Sequence, residues 1–523
     1  MKIVVRQISG QVAEIDVRPD ATLKELKRHL RSSILCDQLT RQLATIEVVL
    51  GVSKLEDDEA TVAELGINAG TEVQVLFSIR PVECSSWHQS GVEVEDLLVV
   101  SIPASTLTIG RFAFENCRRL ARVTLVDSIT SIGEHAFRNC SSLADVTMPN
   151  SVTFIGEHAF RHCSSMESLH MPDSVTGIGR SAFSHCSSLT HLTLSKSITR
   201  IEGNTFCNCT ALVSLAIPDS VTYIGIEAFR NCSSLASLTI PTSVTCIEHG
   251  AFRDCSSLVG LTIPNSVIHI GEYFCSNCCS LTSLSIPSSL GSIERFSLEN
   301  CRSLVTVSIP DSVTHIGEYA FRNCSALASL TIPASVIDIG PGAFSHCSSL
   351  ASLTLHDSVT CIGCSAFRNC SSLTSLQLPE SVIRLGRLAF ANCSLLESLV
   401  ISKSISSIAE HAFSGCSALV TLRIPDSVVR IGSSAFSNCS SLTEVTFSDA
   451  LHFIGPDAFG NCSSLTSVTI PDSVTCIDHG AFRSCRSLVS LTIPESVTFI
   501  GPDSFEGTNF VVDQRSKRQR VAQ

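Results

Sequence analysis

The hydrophobic positions of this 523-residue chain recur every 23 residues from about residue 98 to residue 511. Seventeen cysteines mark the interval from Cys117 to Cys485, with no insertion or deletion between them. Eight residues before the cysteine position, all 18 copies carry Ile except for Leu385, and three residues before it 16 of 18 carry Phe. A unit of this length cannot bury its own apolar side chains, so neighbouring units are expected to stack. The pattern predicts a solenoid.

Each unit predicts two short strands and one turn. The segment L-x-S-L-T-I, as at residues 235–240, alternates apolar and polar residues, which predicts a strand with Leu and Ile inward and Ser and Thr outward. Pro-Asp-Ser ends it, S-V-T-x-I-G is a second extended piece, and x-x-A-F-x-x-C predicts about one helical turn. Glycine follows the Ile in only 13 of 18 copies, so that position does not require a left-handed backbone. With strands about 4.8 Å apart, 18 units form a rod on the order of 85 Å long.

The unit resembles the BspA-like leucine-rich repeat, whose pattern is L-x-x-L-x-I-P followed by S-V-x-x-I-G-x-x-A-F-x-x-C. The resemblance covers residues 98–511 in 18 copies. It implies a curved right-handed solenoid that binds other macromolecules, and many members of the family are surface adhesins. Because no apolar secretory segment and no run of about 18 apolar residues is visible, we expect a cytoplasmic protein without membrane insertion.

Residues 1–80 follow a different pattern. The stretch MKIVVRQISGQVAEIDV predicts a hairpin, Thr22 and Glu25 fit a capping box at a helix start, and strands are predicted at residues 46–50 and 71–77. This order resembles ubiquitin and implies an α+β ubiquitin-like (β-grasp) domain. The chain continues past residue 80 without the terminal Gly-Gly of a conjugated modifier, so the domain is expected to be a fixed docking head.

The resemblance to ubiquitin also implies a binding patch and a class of partner. The family's apolar sheet patch falls on Ile8, Val49 and Leu76 of this chain, and its partners would be ubiquitin-system proteins. Residues 81–97 are predicted to be a linker and N-terminal cap, with Trp87 covering the first Phe. Residues 512–523 are predicted to be a basic disordered tail, which makes a nuclear location an alternative.

Charge and cysteine usage narrow the function. A net charge of −12 argues against a nucleic-acid partner. The regularly spaced cysteines are best explained as buried small hydrophobes rather than as disulfides or metal ligands, because each repeat supplies one and no second C-x₂-C pair is in register. Cys246, Cys361 and Cys476 share another position but lie five repeats apart, about 24 Å, so they are not expected to act together.

Polar pairs and the exposed strand face supply the remaining candidates. Glu134-His135 and Glu157-His158 are expected to stack in exposed positions, where they could bind a divalent metal, although ordinary solvated side chains are the favoured interpretation. No catalytic motif appears, so no enzyme activity and no cofactor is expected. On the strand face most positions are Ser or Thr, and the exceptions are candidate protein-binding residues: Arg122, Asp145, His170, His191, Arg423 and Glu444. The sequence thus predicts a non-enzymatic protein-interaction scaffold, with a ubiquitin-pathway adaptor and a BspA-like adhesin as alternatives.

Overall fold

The computed structural model describes residues 2–7, 12–16, 21–22, 24–25, 44–50, 53–55, 72–79, 99–102 and 104–509. Several sequence-based predictions fall outside these residues: Ile8, the linker and cap at 81–97, and the tail at 512–523.

The N-terminal strands form one mixed sheet. They are β1 (Lys2–Gln7), β2 (Val12–Asp16), β3 (Ala44–Leu50), β4 (Ser53–Leu55) and β5 (Glu72–Ile79). Their order is β2-β1-β5-β3-β4. The central pair β1–β5 is parallel, whereas β1–β2, β3–β5 and β3–β4 are antiparallel. The predicted hairpin and the two later strands are confirmed, and β4 was not predicted.

The capping box predicted at the start of the first helix is confirmed. The backbone N–H of Thr22 donates to Glu25 Oε2 at 3.2 Å, and the backbone N–H of Glu25 donates to Thr22 Oγ1 at 3.3 Å. The two side chains therefore satisfy N–H groups that lack a partner within the helix. The body of this helix lies outside the described residues.

The rest of the described chain is a β-solenoid in which every coil contributes two short strands. The first strand of each coil is three residues long, and these strands are Val99–Ser101, Arg122–Thr124, Asp145–Thr147, Ser168–His170, His191–Thr193, Ser214–Ala216, Ser237–Thr239, Gly260–Thr262, Ser283–Ser285, Thr306–Ser308, Ser329–Thr331, Ser352–Thr354, Ser375–Gln377, Ser398–Val400, Thr421–Arg423, Glu444–Thr446, Ser467–Thr469 and Ser490–Thr492. We call this set the three-residue strand ladder.

The second strand of each coil is two residues long. These strands are Thr108–Ile109, Ser131–Ile132, Phe154–Ile155, Gly177–Ile178, Arg200–Ile201, Tyr223–Ile224, Cys246–Ile247, His269–Ile270, Ser292–Ile293, His315–Ile316, Asp338–Ile339, Cys361–Ile362, Arg384–Leu385, Ser407–Ile408, Arg430–Ile431, Phe453–Ile454, Cys476–Ile477 and Phe499–Ile500. We call this set the two-residue strand ladder. Both predicted strands of the repeat are thereby confirmed.

Neighbouring coils pair in parallel with an offset of 23 residues. In the three-residue strand ladder Leu215 pairs with Leu238, and Leu238 pairs with Leu261. All three leucines point inward and are buried, while the residues on either side of each are exposed. The alternation predicted for this strand is confirmed. Because side chains alternate with period two, this register keeps every Leu of the ladder on the core side.

Phenylalanine and cysteine fill the centre of each coil. The Phe rings stack face to face from coil to coil, with centroids 5.0–5.8 Å apart, as Phe206, Phe229 and Phe252 do at 5.5 and 5.6 Å. The run is interrupted at Cys275 and Leu298, where Phe274 enters the core instead and meets Phe252 edge-on. All 17 cysteines of the 23-residue series are fully buried, which confirms the prediction that they pack in the core.

The predicted helical turn before each cysteine is wrong. Two residues in each of these segments have positive φ, for example Glu227 (52°) and Asn231 (56°). The backbone N–H groups of Glu227, Phe229 and Asn231 donate to carbonyl oxygens of the next coil at 2.8–2.9 Å. A helical turn would direct these N–H groups along its own axis, and the carbonyl oxygens of the next coil would then have no donor. The alternation of right- and left-handed residues therefore joins the coils here.

The side chain before each cysteine also joins the coils. Asn occupies this left-handed position in 11 of 18 copies. Asn231 Nδ2 donates to Asn208 Oδ1 at 2.7 Å, and the same contact recurs at Asn139, Asn300 and Asn323. Asn tolerates left-handed backbone better than most residues, so it serves both the conformation and the contact. We call these residues the asparagine column.

Candidate functional site

The outward positions of the three-residue strand ladder form one exposed face. Ser237 and Thr239 flank the buried Leu238 there, and Ser and Thr predominate in the other coils. Such residues suit an exposed strand but carry no charge to select a partner. Specificity on this face must therefore come from the positions that differ.

The structure places the six predicted binding residues on this face. Arg122 and Asp145 occupy the same position in adjacent, paired strands. His191 pairs with Ser168, which lies two residues before His170 in the same strand, so the two histidines lie diagonally across adjacent coils. All are exposed, as are Arg423 and Glu444. Arg423 pairs with Thr446 and Glu444 with Thr421, so these two also lie diagonally across neighbouring coils. The six residues thus form groups near the two ends of the ladder.

Sequence reasoning missed further departures on this face, among them Ala216, Gly260, Gln377 and Val400. Gln377 and Val400 pair in adjacent strands and extend the second group toward the middle of the solenoid. Val400 is 53% exposed, which is unusual for an apolar side chain on this ladder. Gly260 interrupts the Ser positions and leaves a shallow cleft beside Thr262 and Ser283. The signal was present in the sequence as departures from Ser and Thr.

The outward positions of the two-residue strand ladder are chemically more varied. From coil to coil over the central part of the solenoid they carry Arg200, Tyr223, Cys246, His269, Ser292, His315, Asp338, Cys361 and Arg384. We call these residues the variable column. All are exposed or half-buried, whereas the Ile that follows each of the first eight is buried. Apart from its cysteines, this column was not singled out from the sequence.

Ordered contacts hold several side chains of the variable column. The guanidinium of Arg200 lies 3.7 Å from the centre of the Tyr223 ring, and its Nε donates to Glu202 at 2.8 Å. His315 Nδ1 lies 2.8 Å from Thr314 Oγ1. Partly covered Arg and Tyr side chains of this kind are the residue types that contribute most to protein interfaces.

Three members of the two-residue strand ladder pair with an acidic residue two positions later. Glu202 pairs with Arg200, Glu294 accepts a hydrogen bond from Ser292 Oγ at 2.6 Å, and Cys246 Sγ donates to Glu248 Oε1 at 3.6 Å. The residue between is the inward Ile, so both partners face outward. These acids replace the glycine of most other coils. The glycines at that position do not have positive φ, as predicted. Close approach of the neighbouring coil favours glycine there instead, because a Cβ on Gly225 would lie 2.6 Å from the backbone N of Gly203.

The Cys246 pair gains a third potential ligand from the next coil. His269 pairs with Cys246 in register, and ligand atoms of Cys246, Glu248 and His269 all lie within 4.8 Å of one another. Burial and the Glu248 carboxylate raise the pKa of the Cys246 thiol to about 11. Within the described residues, this is the one group of three side chains of metal-binding type.

The histidines weighed as metal ligands in the sequence belong to a different arrangement. The His135 and His158 rings stack with centroids 4.8 Å apart. Their side chains are only 14% and 20% exposed, so the expectation of exposed positions is wrong for the imidazoles. Each Nε2 lies within 3.5 Å of its own neighbour, Glu134 or Glu157, and burial lowers the pKa of both histidines.

The patch predicted from the resemblance to ubiquitin is described only in its backbone. Val49 in β3 pairs with Gln74, and Leu76 in β5 pairs with Glu47, so the two positions lie diagonally across the β3–β5 pair. Ile8 lies outside the described residues.

The repeats match the BspA type leucine-rich repeat region over residues 93–213, 201–326, 268–397 and 385–511. The chain belongs to this family. Its solenoid is of the right-handed type that the family resemblance implied. No curated protein matches the chain. None of the described residues forms a helix long and apolar enough to cross a membrane.

Several solved structures are similar to the solenoid. A leucine-rich repeat protein from Bacteroides ovatus is 26% identical over 78% of this chain and 84% of its own, with a TM-score of 0.36. A leucine-rich cell surface protein from Faecalibacterium prausnitzii is 25% identical over 76% of this chain and 90% of its own, with a TM-score of 0.33. A T. pallidum leucine-rich repeat protein is 32% identical over 35% of this chain and 78% of its own, with a TM-score of 0.28.

Proposed function

We propose that this protein is a non-enzymatic scaffold whose solenoid binds a protein partner through the variable column. The observation that carries the proposal is a contrast within each coil. Buried positions repeat almost unchanged, and the three-residue strand ladder repeats Ser and Thr, yet the variable column changes chemistry from one coil to the next. Solubility alone requires no such variety, since Ser and Thr suffice on the other ladder. A surface that recognises one partner needs distinct side chains at fixed spacing.

The proposal is tested by affinity purification of the full chain with quantitative mass spectrometry. The test variant carries Arg200→Ser and Tyr223→Ser, residues that other coils hold at the same position. A matched variant carries Arg122→Ser and Asp145→Ser on the three-residue strand ladder. We expect the first variant to lose its partner at least about tenfold, the effect of removing one interface residue of this kind. Loss only in the second variant would assign binding to the sequence-predicted residues and contradict the proposal.

A second role is proposed for the N-terminal sheet, that of a ubiquitin-like docking head. The strand order β2-β1-β5-β3-β4 with a parallel centre supports it, because the β-grasp arrangement implied by the resemblance has this order. Pull-down with residues 1–80 tests the role. Val49→Glu should abolish capture of ubiquitin-system proteins, while Glu47→Gln, two residues away in the same strand, should not. Equal capture by the wild type and Val49→Glu would rule out docking at this patch.

We further propose an intracellular location, which the thiols of the core support. Cys232 Sγ donates to the carbonyl oxygen of Phe206 at 3.3 Å, and equivalent bonds recur in coil after coil. A disulfide has no S–H to donate, so these contacts suit a compartment that keeps thiols reduced. Protease treatment of intact cells provides the test: digestion of the protein from outside would favour the adhesin alternative.

A further inference from the structure

We infer that Cys246, Glu248 and His269 form a binding site for Zn²⁺ that joins two adjacent coils. Thiolate, imidazole and carboxylate are the three ligand types that zinc uses in proteins, and this set is too soft for Mg²⁺ or Ca²⁺. Cys246 and His269 belong to the variable column, but the inference does not rest on partner binding by that column.

The spacing of the ligand atoms suits a tetrahedral ion. Zinc bonds of about 2.3 Å to sulfur and 2.1 Å to oxygen place two tetrahedral ligands about 3.6 Å apart. The Sγ of Cys246 and the Oε1 of Glu248 are 3.6 Å apart. All ligand atoms of the group lie within 4.8 Å of one another, and His269 is exposed, so its imidazole is free to turn towards an ion held by the other two.

The solenoid itself builds the site. Cys246 and Glu248 are two residues apart on one coil, with the buried Ile247 between them, and His269 is the paired residue of the next coil. These two coils have four neighbouring outward positions, 246 and 248 on one coil and 269 and 271 on the next, and the three ligands occupy three of them. The fourth belongs to Gly271, where an added Cβ would clash with the backbone N of His249. This position carries no side chain, which leaves a coordination position for water or a donor from outside the chain.

Another coil of the same protein supplies an internal control. Cys476 and Asp478 repeat the cysteine and acid at the same positions, and Cys476 is half-buried like Cys246. The paired residue of the next coil is Phe499, which cannot bind a metal. The thiol and acid are common to both coils, and the imidazole distinguishes them.

The test is a Co²⁺ titration of the full chain, with the exposed Cys364 replaced by Ser in every protein to remove a competing thiol. Co²⁺ substitutes for zinc and gives a thiolate-to-cobalt charge-transfer band. We expect this band in the Cys364→Ser protein and in Cys364→Ser with Cys476→Ser. It should be lost in Cys364→Ser with Cys246→Ser, and added Zn²⁺ should displace it.

Two further variants test the other ligands with residues that occupy the same positions in other coils and so preserve folding. Glu248→Gly and His269→Ser should each weaken the affinity for Co²⁺ by about 100-fold or more, since loss of outer-shell partners alone costs about 10- to 100-fold. An unchanged affinity in both, a band that survives Cys246→Ser, or no band with excess Co²⁺ would each overturn the inference.

Discussion

The cysteine of each coil combines packing with a hydrogen bond. Cys232 is fully buried, and its Sγ donates to a carbonyl oxygen of the preceding coil. Burial raises the pKa of its thiol well above the usual value, so the reactive thiolate is scarce. The predicted packing role was readable from the sequence because the cysteine recurs at a fixed interval among Ile, Leu and Phe. The hydrogen bond was not, since it depends on how one coil is seated on the next.

Removing the buried thiol should destabilise the solenoid. We expect Cys232→Ala to lower the free energy of unfolding in urea by about 1–3 kcal/mol, because it leaves a small cavity and an unpaired carbonyl oxygen. Cys364→Ser, at an exposed cysteine, should change it by less than about 0.5 kcal/mol. Equal effects of the two substitutions would contradict a structural role for the buried thiols.

The metal-site ligands show why part of the candidate site escaped the sequence. Residue type groups Cys246 with Cys361 and Cys476, which lie in distant coils, whereas its paired neighbour in the next coil is His269. In the sequence Glu248 stands out only as an exception to glycine. The 23-residue interval shows that these residues hold equivalent positions. Only parallel pairing in register shows that residue i lies beside residue i+23 and that the three side chains can therefore meet.

Within one coil, the segment before the cysteine is the element that sequence reasoning misjudged. Ala and Phe in x-x-A-F-x-x-C are compatible with a helix, but the residue just before the cysteine is not typical of one. Asn, Asp and Gly prevail there, and these are the residues that tolerate positive φ. The strands were predicted correctly because period-two alternation depends on one coil alone, whereas this segment is shaped by hydrogen bonds to its neighbour.

Substitutions at Asn231 distinguish the two conformations. In a helical turn Ala would be more stabilising than Gly by about 1 kcal/mol. With φ at 56° the order should reverse, because Ala is strained in left-handed backbone by about 1–2 kcal/mol and Gly is not. We therefore expect Asn231→Gly to unfold at higher urea concentration than Asn231→Ala. Both should be less stable than wild type, since each loses the contact with Asn208. The opposite order would indicate a helical turn.

Two adjacent histidines interrupt the asparagine column and should make stability depend on pH. His162 and His185 stack with ring centroids 4.2 Å apart. Burial, with His185 and Arg161 nearby, lowers the pKa of His162 from 6.5 to about 4. Between these pH values the unfolded chain binds a proton that the folded chain does not, so stability should fall as pH decreases from 6.5 towards 4.

A matched variant for this pH effect replaces the two histidines by asparagine, the residue of most other coils at this position. His162→Asn with His185→Asn continues the run between Asn139 and Asn208, and it should flatten the decline in the urea midpoint over that pH range. The comparison is made against wild type in the same buffers, so that other titrating groups contribute equally. A decline as steep in the double variant would assign the pH dependence elsewhere.

At the scale of the whole molecule, an unbroken interval lets one register serve all 18 coils. The predicted right-handed solenoid follows from the interval together with the family resemblance, because each coil only needs to fit an almost identical neighbour. The 23-residue interval does not identify the partner, nor does it show which side chains of the variable column contact one another. Packing constrains the buried positions to the same residue types in every coil, whereas the exposed positions vary. Which exposed side chains lie next to one another is therefore known only from the structure.

Deleting whole coils tests this interchangeability. Removal of residues 325–347 joins Cys324 to Ser348 and keeps the 23-residue interval, so that Phe321 can stack on Phe367 in place of Phe344. We expect a folded protein whose circular dichroism per residue is unchanged and whose free energy of unfolding falls by on the order of one-eighteenth. Removal of residues 325–336 from the same junction leaves half a coil and shifts Ile, Phe and Cys out of register, so this protein should lose cooperative unfolding. If both deletions behaved alike, the stability would not reside in the coil-to-coil register.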